Sequence, residues 1–142
     1  MYRVCFVLYR AFPLFGSLRV SLALIHRDGT FLVIHRNDGR GLCLPGGFVG
    51  WRENLDAAVR REVVEETGLQ VTNAVLKKNY HSNADLPCNI SVFEVEADGE
   101  LMESWEGSPR WLTIPELEPQ LLESQRPVLE LMHAMSAGAS PK

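Results

Sequence analysis

Branched apolar residues crowd two short blocks near the start of the chain, LRVSLALI at 18–25 and FLVIHR at 31–36, with the pair Asp28-Gly29 between them. Runs of that length and branching predict strands, and an Asp-Gly pair between two such runs predicts a hairpin. After the polar loop NDGRG, the stretch LCLPGGF brings Pro45, Gly46 and Gly47 together. That cluster is expected to interrupt regular structure and to let the backbone come close to a ligand. The rhythm then becomes helical. Asn54 stands as an N-cap, Asp56 lies in the first turn and Gly68 follows Thr67, so a helix is expected from Leu55 to Thr67. Further strands are expected at Val71 to Leu76 and at Cys88 to Ala97, the second ending at another Asp-Gly pair, with Asn79 to Pro87 as the loop between them. A short strand, RWLTI, leads into PELEPQLL, and RPVLELMHAM at 126–135 predicts a closing amphipathic helix. Strands interspersed with one central and one terminal helix predict an α/β or α+β fold, a mixed sheet with helices packed against it.

Composition adds limits to this outline. A chain of 142 residues, 46% apolar and 23% charged, has the balance of one soluble globular domain with one core. Residues 1–17 are expected to form an apolar and basic segment packed on or leading into the domain, 18–136 the domain itself, and 137–142 a disordered tail. Arg3, Arg10 and Arg19 interrupt the apolar start, so no run reaches the ~20 residues that cross a bilayer. Residues 2–14 leave one membrane reading open, a basic amphipathic helix lying on the surface. A formal charge of −4 argues against a broad cationic face, and so against non-specific nucleic-acid binding. The cysteines Cys5, Cys43 and Cys88 are odd in number and share no C-x-x-C spacing. They argue against a disulfide framework or a zinc site and for a reducing, cytoplasmic setting.

The candidate chemistry lies on the central helix. With Leu55 set to zero and about 100° per residue, Val59 falls at ~40°, Glu66 at ~20°, Glu62 at ~340°, Ala58 at ~300° and Glu65 at ~280°. Three carboxylates thus share an arc with apolar residues, which is the wrong place for an idle charge run. Ala57 and Val64 lie opposite, so the helix is expected to be covered on two sides. Crowded, partly buried carboxylates repel, and a hard divalent cation such as Mg²⁺ relieves them while keeping waters and substrate phosphates as its other ligands. Arg61, four residues before Glu65, can hold that carboxylate in place. The alternative is an exposed helix laced by Arg-Glu pairs.

A wider window decides between them. Written from Gly47, the segment GFVGWRENLDAAVRREVVEETGL reads G, five residues, E, seven residues, R-E-V, one residue, E-E, one residue, G-L. This resembles the Nudix box of the Nudix hydrolase superfamily, G-x5-E-x7-R-E-U-x-E-E-x-G-U, at every defined position. With each fixed residue type occurring at about 6%, a chance match is on the order of 10⁻⁹ per window. The resemblance implies an αβα sandwich with a mixed sheet between helices. It also implies hydrolysis of a nucleoside diphosphate linked to a further group X, an NTP, ADP-ribose or nucleotide sugar for example, with Mg²⁺ or Mn²⁺ as cofactor.

Carried onto this chain, the resemblance makes Glu65 and Glu66 the principal metal ligands and Glu62 a third acid that binds metal or helps deprotonate water. The Gly46 carbonyl becomes a backbone ligand, Arg61 the orienting arginine, and Glu53 the acid that ties loop to helix. Glu62, Glu66, Arg61 and Glu53 are thus the expected catalytic group. Glu106 resembles a downstream metal-binding glutamate, and with Glu103 it is also a candidate base. Arg36, Phe48, Trp51 and Arg52 are candidate substrate contacts, and His81 and Asp85 lie in a loop expected near the site. The familiar GGxxExGE becomes GGFVGWRE here, with Gly50 and Arg52 departing from it. Two other readings stay open. One is a module that binds a nucleotide metabolite without cleaving it. The other is an enzyme acting on RNA 5′ pyrophosphate or cap groups, for which Arg36, Arg40, Lys77 and Lys78 are scattered material. A homodimer is a further possibility.

Overall fold

The computed structural model describes residues 18–138. The expectations for Cys5, for an amphipathic helix at residues 2–14 and for residues 139–142 lie outside them. Eight strands and three α-helices follow one another along the described chain. They are β1 (Leu18–Leu24), β2 (His26–Arg27), β3 (Thr30–Arg36), β4 (Leu42–Cys43), β5 (Gly46–Phe48), α1 (Leu55–Thr67), β6 (Gln70–Ser82), β7 (Cys88–Asp98), β8 (Gly107–Leu112), α2 (Ile114–Leu117) and α3 (Val128–Gly138). Short 3₁₀ turns at Glu118–Gln120 and Glu123–Gln125 link the last two helices.

The strands form two sheets. One is mixed, in the order β5-β1-β7-β6, with β1 and β7 parallel and the other pairs antiparallel. In the other, β3 is flanked by β8 on one edge and by β2 and β4 on the other, all antiparallel. The expected hairpin is therefore β2 with β3. The turn at Asp28 and Gly29 forms, both at positive φ (52° and 78°), but β1 belongs to the other sheet. The chain changes sheets at Ile25, whose carbonyl accepts from the Leu32 N–H at 3.0 Å.

Alternation along the strands splits the core in two. Leu22, Leu24, Phe31, Val33, Ile90 and Val92 face the side covered by α2 and α3, where Ile114, Leu117, Val128 and Met132 are buried. Ala23, Ile25, Leu32, Phe93 and Val95 face Val59 and Val63 of α1. The result is an αβα sandwich with two apolar layers instead of the single core expected from length. Among the described residues no helix is long and apolar enough to cross a membrane.

Helix α1 has the expected ends. Asn54 is extended (φ −85°, ψ 165°) and its side chain accepts from the Ala57 N–H, while Gly68 closes the helix at φ 78°. The expected second covered side is not seen among the described residues: Ala57 and Val64 are exposed, while Ala58, Val59, Val63 and Glu66 are buried. Other limits also move. Asn79 to Ser82, expected in a loop, continue β6, because His81 and Ser82 still pair with Asn89 and Cys88. The Gly46-Gly47 stretch, expected to interrupt regular structure, is strand β5, with Ser21 opposite Gly47 and Leu22 opposite Gly46. Strand β8 starts at Gly107, earlier than RWLTI implied, and Thr113 caps α2. Helix α3 carries on through Ala137 and Gly138, which composition had assigned to the tail.

Candidate active site

Strand β5 lies against β1 on one side and under α1 on the other, so the glycines are where helix and sheet come closest. A Cβ on Gly47 would stand 2.6 Å from a Glu62 carboxylate oxygen, and the bare glycine leaves that carboxylate room to lie across the strand. Glu66, one turn further along the same face, accepts the Gly46 N–H through Oε2 at 3.0 Å. It is 7% exposed. Glu106, reached from the turn before β8, brings its carboxyl within hydrogen-bonding reach of Glu66. Burial first, and then the negative charge of Glu106 and Glu62, push the Glu66 carboxyl up to about 9 despite the Gly46 N–H. Burial also raises Glu62, against the opposing pull of Arg61.

Arg61 organises the rim. Its Nε and Nη2 grip both oxygens of Glu53 at 2.7 and 2.9 Å, and Nη2 also donates to the Phe48 carbonyl at 3.2 Å. Its Nη1 donates to Glu62 at 2.9 Å and to Glu65 at 3.3 Å. Glu53 in turn accepts the Gly50 N–H at 2.9 Å, so one arginine ties the loop at 48–53 to the helix. A bidentate pair of this kind fixes geometry as well as energy. Arg61 foremost, and Gly50 after it, hold the Glu53 carboxyl at about 2, below its usual 4.5.

Linkage gives that depression a sign. A carboxyl whose folded value lies below its unfolded value stabilises the fold above pH ~4.5, and the contribution is lost as pH falls toward 2. Glu53→Gln is therefore expected to lower the Tm modestly at pH 6, because the group keeps contact with water. The gap to wild type should close between pH 4.5 and 2. Thermal melts of both proteins across that range check it, and a gap that stays constant contradicts it.

The site residues expected from sequence are not all brought together. Glu62, Glu66, Glu106 and the Gly46 backbone gather at one place. Glu65 does not join them: its side chain remains largely exposed and turns to Arg61. Arg36 is engaged by both oxygens of Asp38 and lies against Cys43, with its guanidinium held firmly charged. Burial pushes the Cys43 thiol up to about 12, so it stays an unreactive thiol. Phe48 pairs with Val20, which packs on the α3 side, so its ring projects from the sheet face opposite Glu62. Trp51 is 90% exposed, and Arg52 sits at φ 59°, a strained conformation for a non-glycine residue. Glu103 accepts from the Ser108 hydroxyl at 3.1 Å. His81 is held between Asn83 and Asn89, and Asp85 pairs with Arg40.

Among the described residues no group of three acidic, histidine or cysteine side chains stands close enough together to hold a metal ion as it is. The donor set nonetheless suits a hard cation. It consists of carboxylate oxygens, and burial foremost raises the pKa of the most buried member, Glu66, a cost that a bound cation would offset. Sequence reasoning missed two supporting residues. Gln125 accepts the Leu44 N–H at 2.7 Å and so steadies the approach to β5. Asn37 holds the Glu106 turn from 68 residues away, and no local pattern announces either contact.

An αβα sandwich in which a glutamate-bearing helix crosses a glycine strand, with an arginine clamp at the rim, defines a class of phosphoric anhydride hydrolase. The chain belongs to the Nudix family, since the NUDIX domain model matches residues 17–132. It is 31% identical over 131 residues to a MutT-like protein of Streptomyces ambofaciens, covering 91% of this chain and 82% of that one. A MutT NUDIX hydrolase from Burkholderia pseudomallei superposes with a TM-score of 0.72 at 26% identity, over 81% of this chain and 97% of that one. The fold is also shared with the E. coli ORF135 protein, at a TM-score of 0.73 and 24% identity over 89% and 95% of the two chains. The chain is accordingly a Nudix hydrolase acting on phosphoric anhydride bonds.

Proposed function

We propose that this is a cytoplasmic, Mg²⁺- or Mn²⁺-dependent pyrophosphohydrolase that cleaves a nucleoside diphosphate linked to a further group by attack of water on phosphorus. The observation that carries the reading is the gathering of Glu62, Glu66 and Glu106 beside the bare backbone of Gly46 and Gly47. Glu66, Glu106 and the Gly46 carbonyl are the groups that would hold the cation, with Glu62 beside them; Glu65 would have to leave Arg61 to join. When bound, the cation would supply charge neutralisation on the phosphate oxygens and make a water nucleophilic.

The chain's own residues do the rest. Glu62, whose carboxylate lies across the bare Gly47 and is held by Arg61, is placed to accept a proton from the attacking water. Arg61 and Glu53 hold it in register. Trp51 and Arg52, exposed on the loop that Glu53 and Arg61 tie to the helix, supply an aromatic ring and a cation available for contact with a base and phosphates. The reading as an RNA 5′-end enzyme loses support, because each of its cations faces an acid: Arg36 with Asp38, Arg40 with Asp85, Lys77 with Glu94 and Lys78 with Glu130. The test is nucleoside monophosphate or phosphate release from a panel of dNTPs, ADP-ribose, nucleotide sugars, dinucleoside polyphosphates and capped RNA, with Mg²⁺, Mn²⁺ or EDTA. Turnover of one class that EDTA abolishes is expected. Tight binding of one compound with no turnover would favour a non-catalytic binding module.

A further inference from the structure

Strand β3 ends at Arg36, and the next residue, Asn37, meets the turn that precedes β8. Its backbone N–H donates to the Glu106 carbonyl at 3.0 Å. Its side-chain Nδ2 donates to the Trp105 carbonyl, also at 3.0 Å. One residue therefore holds both carbonyls of the dipeptide that carries Glu106. The turn has its own closures, from the Ser104 N–H to the Gly107 carbonyl at 3.1 Å and from the Glu106 N–H to the Ser104 hydroxyl at 3.3 Å. Gly107 is pressed onto β3 so closely that a Cβ there would lie 2.4 Å from the His35 carbonyl oxygen.

The side chains of this turn are poorly anchored by burial. Trp105 is 79% exposed and Glu106 is exposed too. An exposed glutamate on a loop would otherwise spread over many rotamers and backbone states. The Glu106 carboxyl instead stands at Glu66. What limits it is the backbone beneath, and Asn37 is the residue outside the turn that grips that backbone with its side chain.

We propose that Asn37 is a positioning residue for Glu106, fixing the Trp105–Glu106 backbone so that the Glu106 carboxyl faces Glu66, and thereby setting how tightly the acid cluster holds a divalent cation. The inference rests on the metal-dependent reading above. Asn37 is itself exposed and absent from both apolar layers, so shortening it leaves the core intact.

The test is a titration of the full chain with Mn²⁺ alone, free ion being read by electron paramagnetic resonance, for wild type, Asn37→Ala, Glu106→Gln and the double variant. Loss of one hydrogen bond should weaken Mn²⁺ binding by about three- to tenfold in Asn37→Ala, at unchanged Tm. Because Asn37 acts through Glu106, the same change in the Glu106→Gln background should alter affinity by less than about twofold. Unchanged affinity in the single variant, or an equal loss in both backgrounds, would overturn the inference. A wild type that takes up no Mn²⁺ overturns the metal reading and this inference together. It is told apart from the other outcomes because in those the wild type binds.

Discussion

Glu66→Gln is expected to reduce kcat by roughly a thousandfold or more while leaving the metal-free protein at least as stable as wild type. The two halves of this expectation come from one position. Glu66 is buried on the inner face of α1, and burial with Glu106 and Glu62 as neighbours drives its carboxyl up to about 9. Without a cation burial therefore favours the neutral form, and a protonated carboxyl and a carboxamide have nearly the same shape. The glutamine oxygen can still accept the Gly46 N–H, so no buried donor is orphaned. What disappears is the capacity to become an anion. The measurement pairs kcat in Mg²⁺ with Tm in EDTA. Unchanged turnover would sink the assignment of Glu66 as a ligand, and a collapsed Tm with no cation present would make its role structural instead.

Gly46→Ala should have the largest effect on the fold itself. Gly46 lies at φ 151°, and a Cβ there would stand 2.2 Å from the Ser21 carbonyl oxygen and 2.8 Å from the Leu22 Cα. Both obstacles are backbone of β1, a strand paired on its other edge with β7, so neither can step aside. The pairing of β5 with β1 must open, at about 3–5 kcal/mol, a large share of the ~5–15 kcal/mol that holds a domain together. Denaturant unfolding measures it. The control is Gly47→Ala, where the obstructing atom is the end of the Glu62 side chain. That variant should keep most of its stability and lose activity as Glu62 is displaced. Equal stability losses in the two variants would mean that the strand, and not the close approach to β1, is the sensitive feature.

The local parts of this structure were legible in the chain, and the long-range parts were not. Asn54 and Gly68 act within a turn of the residues they cap, so both ends of α1 follow from sequence. The helical spacing put Glu62 and Glu66 on the buried side. It put Glu65 at the edge of the same arc, where the nearby Arg61 draws it outward. The spacing also suggested that Ala57 and Val64 would be covered, but coverage depends on what packs against the helix, and both residues are exposed. The partners of β1 could not be read, because the pairing with β7 joins residues about seventy positions apart, Leu18 with Cys88 for instance. Glycine-rich β5 lacked the branched residues that signal a strand. Its pairing is set by the neighbouring strand and helix. The Glu53–Arg61 clamp was implied by the resemblance alone, since a gap of eight residues from loop to helix has no periodic signature.

The open flank of α1 bears on how the protein can be studied and altered. A dye, a spin label or a surface tether placed at Ala57 or Val64 sits on the helix that bears the acids yet points away from the buried Glu66 and from Glu62. Such a reporter moves with the catalytic element and reports on the Arg61 clamp beside it from outside the acid cluster. Small substitutions at Ala57 or Val64 that leave the neighbouring Arg61 clamp in place should pass unnoticed by both folding and turnover.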